Sequence, residues 1–248
     1  MDIYRLVDLY KTTIDDRRRF NGESLIQLKD YYRIGLTWSS NALEGNTLTE
    51  SETKVLLEDG LTAGGKPLRY TFEAIGHAKA YDFMFTLIKN RTITGIDILT
   101  MHEMFYENVE SDYAGKYRDM DLFISGSKYP VTEAKRIHVK MDELFQWIAT
   151  ERNQFHPVAF AAQLHKRFVF IHPFKDGNGR IARLIMNTAL IQDGYMLAVI
   201  PPVLRHEYIE LLEKAHRDDK PFEQFIAERV MESQREIMRF LHISIPKF

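Results

Sequence analysis

Apolar residues recur at helical spacing along most of the chain. Ile3, Leu6, Val7 and Tyr10 share one face near the start, and Leu25, Leu28, Tyr32, Leu36 and Ala42 extend the pattern over 24–43. Gly45-Asn46 breaks that second run. Thr49 and Glu52 stand at capping-box spacing and predict a short helix that stops near Gly60. Residues 61–67, with Gly64-Gly65, read as a loop, and 72–89 as a long helix. Thr94 and Asp97 open another, through Leu99, Met101 and Phe105. Further helices are expected over 141–148, 158–171 and 181–192, with Pro157 suited to a first turn. After Pro201-Pro202, residues 206–241 read as two helices split by Asp218-Asp219-Lys220-Pro221.

Residues 115–139 lack the helical period. Gly115, Gly126 and Pro130 punctuate them, Leu122-Phe123-Ile124 is a strand candidate, and Ile137 and Val139 flank His138. This pattern predicts a small β-hairpin over 122–139. The expected fold class is all-α with that hairpin inserted.

Composition narrows the possibilities. At 248 residues and 45% hydrophobic, the chain can bury a substantial core. No apolar run approaches the roughly 20 residues that span a bilayer. The start, Met1-Asp2-Ile3-Tyr4-Arg5-Leu6, is amphipathic and unlike a secretory signal. The absence of cysteine excludes disulfides and thiol nucleophiles, and a cytoplasmic location is expected. A formal net charge of −2 gives no reason to expect a nucleic-acid partner, and a membrane partner is not expected either.

The segment that carries chemistry is His172-Pro173-Phe174-Lys175-Asp176-Gly177-Asn178-Gly179-Arg180-Ile181-Ala182-Arg183. It joins two apolar helices and opens onto the N-terminus of the second. Unpaired N–H groups and the positive end of the helix dipole favour an anion there. Gly177 and Gly179 let the backbone approach a phosphate closely. Arg180 and Arg183 are three apart on one helix face, so their guanidinium forks can hold further phosphate groups. Asp176 offers one carboxylate, which suits Mg²⁺ shared with substrate phosphates, and His172 offers an imidazole that can take a proton. Each feature alone has a plainer reading as turn, cap or solvated face; their conjunction within twelve residues favours an anion site. Rival motifs fail. A calcium loop starting at Asp176 would need ligands where Arg180 and Asn187 stand, and the His102-Glu103 and His206-Glu207 pairs lack the second histidine of a zinc site.

The stretch from His172 to Arg183 resembles the signature of the Fic family, with every signature position filled. The resemblance runs from Gly115-Lys116-Tyr117-Arg118 to about Ile226, and more loosely over the whole chain. It implies a mostly helical Fic fold, with N-terminal helices over 1–70 and a catalytic domain over 71–248 packed as one unit. It implies that His172 is the general base and Phe174 a core anchor. Asp176 would hold Mg²⁺ or Mn²⁺. Gly177, Asn178 and Gly179 would form the anion hole, and Arg180 and Arg183 would bind the β- and γ-phosphates of ATP. The hairpin over 122–139 resembles the family's flap, which docks the target protein by strand pairing. Residues 208–225 resemble the part of the family fold near the adenine, with Tyr208 and His216 as lining residues, although the loop before Pro221 is one residue shorter than the family pattern.

Upstream, Ser40-Asn41-Ala42-Leu43-Glu44-Gly45 resembles the family's inhibitory helix motif, with Ser40 and Glu44 as its inhibitory residues. The implied function is a protein adenylyltransferase that moves AMP from ATP to a Ser, Thr or Tyr hydroxyl and is restrained by Glu44. The alternatives are removal of AMP at the same site and a nucleotide-binding regulator without turnover. Neither the target nor the oligomeric state is legible.

Overall fold

The computed structural model describes residues 2–17 and 22–246. Ten α-helices run through them: α1 (Ile3–Arg17), α2 (Gly22–Ala42), α3 (Glu50–Asp59), α4 (Leu68–Thr86), α5 (Gly95–Tyr106), α6 (Ile137–Glu151), α7 (Pro157–Ile171), α8 (Asn178–Gln192), α9 (Arg205–Lys214) and α10 (Lys220–Phe240). Both capping boxes form. The Thr49 side chain accepts from Glu52 N–H while the Glu52 carboxylate accepts from Thr49 N–H, and Thr94 and Asp97 repeat the exchange. Gly60 ends α3 in the left-handed conformation. The fourth helix starts earlier than its apolar period suggests, at Leu68, because Pro67 is a natural helix entry.

The centre of the core is the pair α7 and α8, joined by the loop 172–177 and packed along each other. Every residue of α8 except Gly179 is buried. A helix buried all round must place its polar groups against partners. Asn187 meets this by clasping the backbone of Ala198, and Gln192 by donating to the carbonyls of Leu87 and Thr92. Arg180 and Arg183, buried at the opposite end, pair with groups of the site described below, although the Nε of Arg180 finds no acceptor there. Around this pair lie α4, α5, α10 and α2, and α1 packs on α10 through Val7, Tyr10 and Ile14. No helix among the described residues is long and apolar enough to cross a membrane.

The expected β-hairpin is not formed: among the described residues there is no strand. Ile137 and Val139 belong to α6, and 119–133 is an irregular loop. A lone two-stranded hairpin needs a packed face to persist. Here Phe123, the middle of the Leu122-Phe123-Ile124 run, is 95% exposed, so the run offers no packed face to a partner strand. The arms of the loop are tied by side chains instead. Buried Arg118 donates to the carbonyls of Met120, Thr132 and His172, and Asp121 accepts from Ala134 N–H.

Candidate active site

The loop between α7 and α8 is shaped by its own residues. His172 ends α7 in the left-handed conformation, at φ 54°. Phe174 is fully buried and its ring stacks on His102 of α5, with centroids 3.7 Å apart. The Asn178 side chain closes the turn by accepting from Phe174 N–H at 2.9 Å and donating to Phe174 O at 2.8 Å. Gly177, at φ 82°, precedes α8 where no side chain caps the helix. The N–H groups of Asn178, Gly179 and Arg180 therefore find no acceptor among the described residues, as the first turn of a helix leaves them. Of the predicted anion-hole residues, Asn178 can offer only its backbone, because its side chain is spent on the loop.

His102 was not singled out by the sequence. Its Nδ1 accepts from Gly115 N–H at 3.0 Å, which leaves the proton on Nε2, and that nitrogen donates to Asp176 O at 3.1 Å. The only hint was a histidine amid the apolar face of Ile98, Met101 and Phe105.

His172 sits at the other end of the loop. Its Nδ1 donates to Val169 O at 3.3 Å, so Nε2 is the unprotonated nitrogen. Burial pushes the imidazole down to about 4, and the Arg118 charge adds to the effect. It is neutral at physiological pH, the state a proton acceptor needs.

The two signature arginines divide between two carboxylate networks. Arg183 donates from Nη2 to Glu44 Oε1 at 2.7 Å and to Ser40 O at 2.9 Å. It also donates from Nε to Ser40 Oγ at 3.0 Å and from Nη1 to the Tyr208 hydroxyl at 3.3 Å. The Glu44 carboxylate lies over Gly179, where a Cβ would collide with Oε1. Burial raises the Glu44 carboxyl, but Arg183 and Arg180 outweigh it and hold the group below the usual carboxylate range. Beneath Arg183, Tyr208 donates in turn to His165 Nε2 at 2.8 Å. Arg180 pairs with buried Glu73 at 3.3 Å and lies over the Phe105 ring. Asn46, just beyond the Ser40–Glu44 turn, donates to the same Glu73 at 3.0 Å.

Asp176 is half-exposed beside Arg180. Burial raises its carboxyl, but Arg180, the Tyr106 hydroxyl, Gly177 N–H and Arg69 together hold it below the normal range. No group of three or more acidic or histidine side chains that could cage a metal occurs among the described residues. One ionised carboxylate beside an anion nest nonetheless fits Mg²⁺, which keeps waters and shares substrate phosphates.

A cavity of about 430 Å³ adjoins the nest. Its walls are the loop 124–131, Val169 and Phe170 at the end of α7, and α9, with Glu44 and Gly179 on the nest side. Both expected adenine-side residues line it. Tyr208 lies next to Arg183, whereas His216 is sandwiched between Phe170 and Tyr129, at 3.6 and 3.8 Å. Of the sequence-predicted residues, Glu44, Gly179, Tyr208 and His216 line this cavity, and Arg183 joins it to the nest through its bonds to Glu44 and Tyr208. Arg69, Glu73 and Tyr106, which hold Asp176 and Arg180, carry no local sequence signal.

Comparison with known proteins gives the family. Residues 92–190 match the model of the Fic/DOC family. The chain is 37% identical over 194 residues to a protein adenylyltransferase Fic of Nematostella vectensis, covering 77% of this chain and 45% of that protein. It is 34% identical over 194 residues to the Drosophila grimshawi protein of the same name, covering 77% and 40%. The chain therefore spans less than half the length of these curated relatives. Among solved structures, Fic-1 of C. elegans superposes with a TM-score of 0.86 at 26% identity, over 97% of this chain and 72% of that one. A Fic domain containing signaling protein of Bacteroides thetaiotaomicron superposes with a TM-score of 0.85 at 25% identity, over 98% and 99%. With the loop, the uncapped helix and the paired arginines in place, the chain belongs to the Fic/DOC family.

Proposed function

We propose that this chain transfers AMP from ATP to a Ser, Thr or Tyr hydroxyl of another protein, and that Glu44 restrains the reaction. The observation that carries the reading is a neutral imidazole, His172, at one end of an uncapped helix N-terminus backed by two buried arginines. The phosphates lie on the N–H groups of 178–180, with Arg180 and Arg183 against the outer two. The adenosine extends into the adjoining cavity past Tyr208 and His216. Mg²⁺ or Mn²⁺ on Asp176 supplies charge neutralisation to the phosphates when bound. The attacking hydroxyl loses its proton to His172 Nε2 as its oxygen bonds to the α-phosphorus; the bond to the bridging oxygen breaks and pyrophosphate leaves. The target docks along the irregular loop within 122–139, whose exposed Phe123 and open backbone can accept an extended segment.

Glu44 restrains this by position. Its carboxylate occupies Arg183 and covers Gly179, where a phosphate must settle, so like charges meet at close range. The reaction type is tested with Glu44→Gly, a cell lysate, and ATP labelled in the α- or the γ-phosphate. Protein label from the α-position alone is expected. Label from γ alone points to phosphate transfer, and label from neither leaves a nucleotide-binding regulator. A second reading, removal of AMP, draws on the ionised Glu44 carboxylate, which can position a water in the site. Release of AMP from a modified protein by wild type, lost in Glu44→Gly, would favour it.

A further inference from the structure

The Asp176 carboxylate carries four donors, two on each oxygen. Oδ1 accepts from Gly177 N–H at 2.6 Å and from Arg180 Nη2 at 3.4 Å; Oδ2 accepts from the Tyr106 hydroxyl at 2.5 Å and from Arg69 Nη2 at 3.0 Å. An ionised carboxylate has about four lone-pair sites, so its accepting capacity is used up. A cation can reach it only when one donor leaves.

Three of the donors are fixed. Gly177 N–H is backbone. Tyr106 is fully buried, with its ring stacked against His102. Arg180 has a side chain only 3% exposed, clamped between Glu73 and Phe105. Arg69 differs: it stands in the first turn of α4 with half its side chain in solvent. Its Nε pairs with Glu73 Oε1 at 3.0 Å; because the guanidinium is planar the whole group moves as one when Nη2 leaves Asp176, a movement its half-exposed position leaves room for. Arg69, Asp176, Arg180 and Glu73 thus close a ring of alternating charge in which one member is free to swing.

We propose that Arg69 occupies the divalent-cation position on Asp176 and must be displaced before metal binds, so that it sets the metal affinity of the site without touching the nucleotide. This rests on the reading of Asp176 as the metal ligand. A guanidinium and a divalent cation on the same oxygen, Oδ2, are like charges within a few ångströms and compete for one position, whereas Arg180 stays on Oδ1. The exchange is cheap, because the bond given up is a half-exposed ion pair.

The test measures binding, not turnover. ADP affinity is determined by calorimetry in excess Mg²⁺ and in excess EDTA, in the Glu44→Gly background that opens the phosphate site. The ratio of the two affinities is the metal increment, and it cancels any direct effect of Arg69 on the phosphates. Arg69→Gln is expected to enlarge the increment roughly fivefold, the scale of an exposed ion pair, with an unchanged melting curve. Asp176→Ala is expected to abolish it. An unchanged or smaller increment in Arg69→Gln, with Asp176→Ala still losing its own, overturns the role of Arg69 and leaves Asp176 as the ligand. A full increment in Asp176→Ala removes the metal reading and this proposal with it.

Discussion

Three fully buried histidines lie around Arg180 and Arg183, and acid should act on all of them. Burial pushes His77 and His165 down to about 3 and His102 to about 4, and the neighbouring arginine charges add to the effect. Each is neutral in the fold and titrates near 6.5 when unfolded. The unfolded chain therefore binds more protons, and stability present above about pH 6.5 is lost as pH falls toward the folded values. At pH 5 the loss is about 2 kcal/mol for each histidine and about 6 kcal/mol for the three. That is a large part of the 5–15 kcal/mol typical of a folded domain. Carboxylates add little in this window, because their unfolded values lie near 4. Urea unfolding at about pH 7.5 and about pH 5 measures the difference, and His77→Gln should shrink it by about 2 kcal/mol. Equal stability at the two pH values would refute neutral burial of these rings.

Gly179→Ala should fold, since the atom its Cβ meets is the flexible end of Glu44, yet in the Glu44→Gly background it should lower AMP transfer by roughly 10²-fold by shifting the phosphates; normal transfer would show that phosphate does not rest there. Arg118→Ala frees both arms of the 119–133 loop, so limited trypsin digestion should cut at Lys128 much faster than in wild type. Arg118→Lys should not restore protection, because an ammonium gathers its donors on one nitrogen while the three carbonyls are met by three nitrogens of the guanidinium fork; equal digestion rates would mean that the loop is held by other contacts.

The helices and the loop from His172 to Arg183 were legible because their signals are local: apolar period, caps, glycines and charges within a few residues. The Ser40–Glu44 turn was legible only as a motif, and that its carboxylate meets Arg183 depends on how α2 packs near α8. The hairpin was misread because turn residues and a short apolar run predict strands only where a sheet exists to bury one face. Arg118, a single buried side chain, took over the tying of that loop. His102, Arg69, Glu73 and Tyr106 were invisible for a related reason. Each acts on Asp176 or Arg180 from another helix, and a lone polar residue on an apolar face carries no message about its partner. The sequence placed Asn178 among the anion contacts, but its amide faces inward to Phe174 and fixes the loop instead.

In the proposed function, Glu44 restrains an AMP transfer that His172 carries out. Side-by-side incubation of wild type, Glu44→Gly and the Glu44→Gly/His172→Ala double variant with α-labelled ATP tests it most directly, scored on the protein itself and on lysate. Weak labelling by wild type, strong labelling by Glu44→Gly, and loss of that gain in the double variant with ATP affinity largely kept are expected. Equal labelling by wild type and Glu44→Gly, or near-normal labelling by the double variant, would contradict it.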